Sequence, residues 1–140
     1  MPDPSASTPD AEAPPTAEPA LRAIAMPADT NTHGDIFGGW LLCQMDLAGS
    51  TMATRRTRGR VVTVAITSMV FHRPVLVGDE VSCFCAIDRI GNTSITVKIE
   101  SWARRGIGDQ AFKVTEGVFT YVAVDAAGHP QSVAARAGAA

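Results

Sequence analysis

A chain of 140 residues, 46% of them apolar, has room for one domain that buries about two thirds of its unfolded surface. A formal net charge of −2 gives no whole-chain electrostatic reason to expect nucleic acid or an anionic membrane surface as partner. No apolar run approaches the ~20 residues that span a bilayer, so membrane insertion is not expected, and no DNA-binding motif is visible.

Residues 1–19, MPDPSASTPDAEAPPTAEP, hold Pro, Ala, Ser, Thr and acids, with no apolar side chain larger than that of Met1. Such a segment does not offset its ordering entropy and is expected to be a disordered acidic tail. It lacks the basic start and apolar centre of a secretion signal, which makes the cytoplasm the expected location. The folded unit is expected over 20–126, with 127–140 as a flexible C-terminal tail.

A short apolar stretch, ALRAIAM, opens the folded unit and the polar turn PADTNTHG follows. The next pattern predicts a helix from about Gly38 to Thr54. Its apolar residues fall nearly all the way round, which marks a helix surrounded by protein. Arg55, Arg56 and Arg58 stand at its C-terminal end, where cations complement the helix dipole. From Gly59 onward the chain alternates with period two. GRVVTVAITSMVFHRP, EVSCFCAIDRI, ITVKIESWARR and AFKVTEGVFTYVAVD read as four long strands, separated by Gly-bearing turns such as VGD and GNTS. Short turns imply antiparallel neighbours. The expected class is α+β: a single sheet with one apolar helix curls around that helix to bury it.

The three cysteines, Cys43, Cys83 and Cys85, make neither an even disulfide set nor a C-x-x-C motif. Cys83 and Cys85 share one face of a strand and read as core residues. His33, His72 and His129 are scattered, with no two at ligand spacing, so no metal site is expected.

Two features of the helix carry chemistry. Gly38 and Gly39 either permit a tight helix entry or close packing, or they leave first-turn N–H groups open to a ligand. Such donors would stabilise a developing acyl oxyanion. Asp46 is a lone carboxylate among Trp40, Leu41, Leu42, Met45 and Leu47. Unpaired burial of a carboxylate is costly, so it needs either a structural donor, for which Ser50 is in reach, or a role as general base or nucleophile. Gly39 and Asp46 are seven residues apart, about 10 Å along the axis, and the first-turn N–H groups point out of the helix end. One helix does not easily serve one carbonyl with both. A two-fold dimer does, one chain giving the helix end and the other Asp46.

DTNTHGDIFGGWLLCQMD followed by GRVVTVAITSMVFHRPVLVGD closely resembles the YciA-type acyl-CoA thioesterases, a hotdog-fold family. The similarity covers roughly residues 21–125. Its motif is Asn-x-x-Gly-x-x-x-Gly-Gly with an Asp seven residues after the second Gly. The resemblance implies a curved antiparallel sheet wrapped around one long central helix, and hydrolysis of acyl-CoA to free acid and CoA. It gives Asn31 and Gly39 the substrate-polarising side, with Asn31 holding water or thioester and the Gly39 amide the carbonyl oxygen. Asp46 becomes the catalytic carboxylate, supplied by the partner chain of a homodimer that assembles further into a trimer of dimers. Coenzyme A enters only as part of the substrate, with no other cofactor. Its phosphates want Arg or Lys; Arg60, Arg73 and Arg104 are the chosen candidates, out of a set that includes Arg55, Arg56, Arg58 and Arg105. Gly38, Ser68 and the turn residues Gly91, Thr93 and Ser94 complete the implied substrate-binding set. Two other readings stand beside this one. DTNTH loosely resembles the motif of hotdog enoyl-CoA hydratases and dehydratases, and a non-catalytic acyl-CoA-binding module is the non-enzymatic alternative.

Overall fold

The computed structural model describes residues 13–108 and 110–134. Its elements follow the chain as β1 (Leu21–Ile24), a short 3-10 turn at Pro27–Asp29, α1 (Gly38–Thr57), β2 (Val61–Phe71), β3 (Glu80–Ile90), β4 (Ser94–Arg104) and β5 (Ala111–Ala123). The expected leading strand, helix and four long strands are all present. The helix continues past 54 because Thr57 is itself buried. It ends at Arg58, whose left-handed backbone (φ 59°) still lets its N–H reach Thr54 O at 2.7 Å.

α1 buries Leu41, Met45, Ala48 with the adjacent Gly49, and Ala53, a spacing close to one turn that makes one stripe. It touches every strand of the sheet. The other apolar side chains of the helix find less cover: Trp40 and Leu42 are half-buried, and Leu47 is 51% exposed. One chain therefore does not enclose the helix, contrary to what its all-round apolar character suggests.

The five strands form one antiparallel sheet in the order β1-β3-β4-β5-β2. Its helix-facing side carries Val81 and Cys83 of β3, Ile95, Val97 and Ile99 of β4, and Phe119, Tyr121 and Ala123 of β5, all buried. Register sets these rows against one another, with Val97 opposite Phe119 and Ile95 opposite Tyr121. This is the expected curved sheet around a central helix.

The edge strand β2 departs from simple alternation. Val64, Ile66, Val70 and Phe71 are all exposed, the first of them 54%. Its register shifts between Thr67 and Val70, where Ser68 takes a positive φ of 52°. The shift turns Met69 inward over Gly117, whose Cβ, if it had one, would occupy the place of the Met69 sulfur.

The fold also runs past residue 126, the limit expected from sequence. Val124 bridges to Pro130, Val133 N–H donates to Asn92 O at 2.9 Å, and the Val133 side chain is buried in the core. A loose segment from 127 is thus corrected for 127–134; 135–140 lies outside the described residues. Of the expected N-terminal tail, 1–12 lies outside them too. Pro14, Pro15 and Pro19 line a cleft of about 160 Å³ on the outer side of the sheet, with Phe84 and Trp102.

One ion pair, between a buried carboxylate and a half-exposed guanidinium, ties the β2–β3 connection to the end of β4. Asp79, its side chain 1% exposed, accepts Arg105 Nε and Nη2, both at 2.9 Å, and the Leu76 N–H at 2.9 Å. The Arg105 guanidinium also lies 5.0 Å from the centroid of Phe112, and that of Arg73 lies 4.7 Å from it. Arg105→Met leaves a buried carboxylate without its cation and is expected to cost about 3 kcal/mol. The urea midpoint at unchanged slope reads this directly.

Burial pushes the Cys83 thiol up to about 11 and the Cys85 thiol up to about 12. At pH 8 both are therefore thiols rather than thiolates. Disulfide-exchange titration of the native protein should leave these two unreacted, and unfolding in urea should release both.

Candidate active site

The loop before α1 is organised by Asn31. A bridge between Thr30 and Ile36 closes the loop, and Asn31 N–H donates to Asp35 O at 2.7 Å. Asn31 Oδ1 accepts the backbone N–H groups of His33 (2.8 Å) and Asp35 (3.1 Å). Its oxygen is thus spent on the loop and only its NH₂ group remains to meet a substrate. The polarising role implied for Asn31 narrows to donation. The exposed His33 contributes its backbone here.

α1 begins without a side-chain cap. The N–H groups of Trp40 and Leu41 both donate to Phe37 O, at 3.1 and 3.4 Å, and Phe37 N–H donates to Asp29 O. Among the described residues, nothing accepts from the Gly38 and Gly39 amides. Neither glycine has the positive φ that a tight entry would demand. Open space surrounds the place of a Gly39 Cβ, and a Gly38 Cβ would stand 3.4 Å from Phe71 Cε1, an ordinary contact. Backbone strain and close packing therefore do not account for the pair, which favours access to the amides. Beside them lies a cavity of about 250 Å³ lined by Phe37, Gly38, Leu41, Phe71 and Arg73, among others.

Asp46 is half-buried, not enclosed as its apolar neighbours suggested. It projects from the β2 side of α1, and its Oδ1 accepts two hydroxyls: Thr63 Oγ1 at 2.8 Å and Tyr121 Oη at 3.1 Å. Tyr121 Oη also lies 3.2 Å from Asp46 O. Among the described residues Oδ2 has no hydrogen-bond partner, and no cation pairs with the carboxylate. Ser50, the local candidate donor, bonds Leu47 O at 3.0 Å instead. Sequence reading missed Thr63 and Tyr121. Both occupy helix-facing positions on adjacent strands, where they stand opposite each other. A polar residue at an inward strand position was the available signal.

The remaining candidates divide between two ends of the sheet. Arg73 follows β2 beside the start of α1 and lines the cavity with Gly38, while Arg104 is exposed at the end of β4. Arg60 precedes β2 at the opposite end, where its carbonyl accepts Val124 N–H. The turn Gly91–Ser94 lies there too: Gly91 N–H donates to Ser94 O and Thr93 O accepts Ala123 N–H, both at 2.8 Å. A Cβ at Gly91 would strike Ser94 Oγ at 2.7 Å. Ser68 is exposed at the β2 irregularity. Within one chain these residues are not gathered around Asp46. Arg55 and Arg56 line a separate cleft of about 590 Å³ that holds none of the chosen candidates. Among the described residues, no group of three His, Cys, Asp or Glu side chains suits a metal, and no helix is long and apolar enough to cross a membrane.

Comparison with known proteins agrees with this architecture. A family model described as the thioesterase superfamily matches residues 33–107. The acyl-CoA thioester hydrolase YciA of Salmonella typhimurium is 49% identical over 120 residues, 84% of this chain and 90% of that protein. A hexameric thioesterase from Yersinia pestis superposes with a TM-score of 0.80 at 51% identity, covering 84% of this chain and 96% of that one. A hexameric hotdog fold thioesterase of Campylobacter jejuni gives 0.81 at 40% identity, covering 88% and 95%. With the helix and the curled sheet in place, the chain belongs to the thioesterase superfamily, in its YciA-type, hotdog-fold branch.

Proposed function

We propose that this protein hydrolyses acyl-CoA thioesters to a free carboxylic acid and CoA, in a site shared across a homodimer. The observation that carries the reading is Asp46: a carboxylate held through one oxygen by two hydroxyls, with the other oxygen unengaged, beside an exposed apolar edge strand. The kinship with YciA enzymes supplies the substrate class.

The chemistry follows from the groups present. The thioester carbonyl oxygen is received by the Gly39 amide, with the Asn31 NH₂ as a second donor. Asp46 of the partner chain acts as general base, taking a proton from water as its oxygen adds to the carbonyl carbon, or as the attacking nucleophile itself. Collapse of the tetrahedral species breaks the C–S bond. On the general-base route the departing CoA sulfur takes the proton that Asp46 removed from water; on the nucleophilic route it leaves as the thiolate, and water then hydrolyses the acyl–Asp46 anhydride to the free acid and restores the carboxylate. Donors and base of the chain carry every step, so the proposed reaction takes no cofactor beyond the CoA of its substrate. The exposed edge-strand residues Ile66 and Phe71, opposite the helix-facing Phe119 and Thr115, with Leu47 on the helix, form the surface that a second copy covers. The hexameric state of the Yersinia and Campylobacter relatives supports a trimer of such dimers here. Pairing across a two-fold axis also offers a way for the separated groups, Arg73 and Arg104 at one end and Arg60 and Gly91–Ser94 at the other, to serve one CoA. The reading places the enzyme in the cytoplasm.

Asp46→Asn should leave the circular dichroism spectrum intact and lower kcat by about a thousandfold or more. Wild-type turnover by that variant would sink the assignment. Sharing of the site has its own measurement. After subunit exchange between Asn31→Ala and Asp46→Asn chains, half the dimers are mixed and each carries one intact site. About a quarter of wild-type activity should return. No recovery would mean that each site lies within one chain.

A further inference from the structure

α1 carries Gly49 three residues after Asp46, in a helix interior where Gly is disfavoured relative to Ala. Its φ is not positive, so the backbone does not require it. Space does. A Cβ at position 49 would collide with the Tyr121 hydroxyl, and would stand 2.6 Å from Ile99 Cδ1 and 3.0 Å from Tyr121 Cζ. The Tyr121 ring is fully buried, and it stacks beside Phe119 with centroids 6.5 Å apart. Gly49 thus opens a notch in the helix through which a phenol from β5 reaches the Asp46 turn. The hydroxyl then lies between two oxygens of one residue, 3.1 Å from Asp46 Oδ1 and 3.2 Å from Asp46 O.

We propose that Tyr121 is a positioning residue that fixes the Asp46 side chain against its own backbone, and that Gly49 is the glycine that admits it. This rests on the reading of Asp46 as the catalytic carboxylate. An exposed Asp turns freely about two side-chain torsions. A donor bridging its carbonyl and one carboxylate oxygen holds those torsions, so Oδ2 keeps one direction. Thr63 grips the same Oδ1 from β2, and the two hydroxyls together hold the carboxylate plane. Burial and the neighbouring Asp46 charge push the Tyr121 phenol up from its ordinary value. It therefore stays protonated, and a donor, throughout the working range.

Tyr121→Phe keeps the ring and its packing while deleting the donor. The expected result is a fall in kcat of about ten- to a hundredfold, the worth of one hydrogen bond to a charged group, with KM changed less than about twofold. A wild-type kcat, or a loss expressed in KM alone, overturns the proposal. Gly49→Ala tests the notch. It should lower the thermal midpoint, and adding Tyr121→Phe should restore part of that loss by removing the colliding oxygen. A double variant less stable than Gly49→Ala alone would overturn the role given to Gly49. The Asp46→Asn assay separates the two levels of inference. If that variant is inactive while Tyr121→Phe is normal, only the positioning role fails. If Asp46→Asn is itself active, the functional reading fails with it.

Discussion

One sheet cannot cover a helix that is apolar on more than one side. α1 gives its Leu41–Met45–Ala48–Ala53 stripe to its own sheet and leaves Leu47 exposed, with Trp40 and Leu42 only half-buried. The sheet has the same incompleteness at β2, an edge strand whose Val64, Ile66, Val70 and Phe71 are exposed. An apolar edge left open invites association with another chain. The unfinished helix and the unfinished edge lie next to each other, and Asp46 projects between them toward Thr63 of β2. On the proposed reading, the surface that hydrophobic burial needs covered is the surface on which the second half of the site arrives. Assembly and catalysis then answer to a single constraint.

The two halves of the proposed site are prepared differently. At the helix entrance the work is done by main chain: Phe37 O takes the N–H groups of Trp40 and Leu41, leaving those of Gly38 and Gly39 as the open donors. Asn31 spends its oxygen on the loop that precedes them and retains only donor capacity. The Gly38 and Gly39 amides and the Asn31 NH₂ all donate, which suits a carbonyl oxygen that gains charge. At Asp46 the remaining open group is an acceptor. A donor-only end and an acceptor on a different turn of the helix make a poor pair within one chain and a complementary one between two.

Much of this was legible in the sequence because it depends on local periodicity. Period-two alternation located the long strands, and the apolar helix and its short antiparallel connections implied a sheet curled around it. The motif from Asn31 to Asp46 is contiguous, so its spacing could be read directly. What escaped reading depends on register between distant segments. Thr63 and Tyr121 become partners of Asp46 only because β2 pairs with β5 so that the two stand opposite each other. Val133 follows a turn rich in small residues, and its burial depends on Asn92 presenting a carbonyl to its N–H. The split of the arginines between two ends of the sheet likewise follows from strand direction, which a one-dimensional list of cations does not carry.

Hydroxyl anchors also explain why Asp46 is neither paired with a cation nor deeply buried. An Arg or Lys against the carboxylate would hold it firmly, as Arg105 holds Asp79, but it would occupy the oxygens. Deep burial without partners would instead favour the neutral acid, which neither accepts a proton nor attacks a carbonyl. At Asp46 two neutral donors meet one oxygen. They orient the group without cancelling its charge, and they leave the second oxygen free. The same chain thus holds two carboxylates in different ways: Asp79, fully partnered and bearing structure, and Asp46, partnered on one side only, as its proposed catalytic role requires.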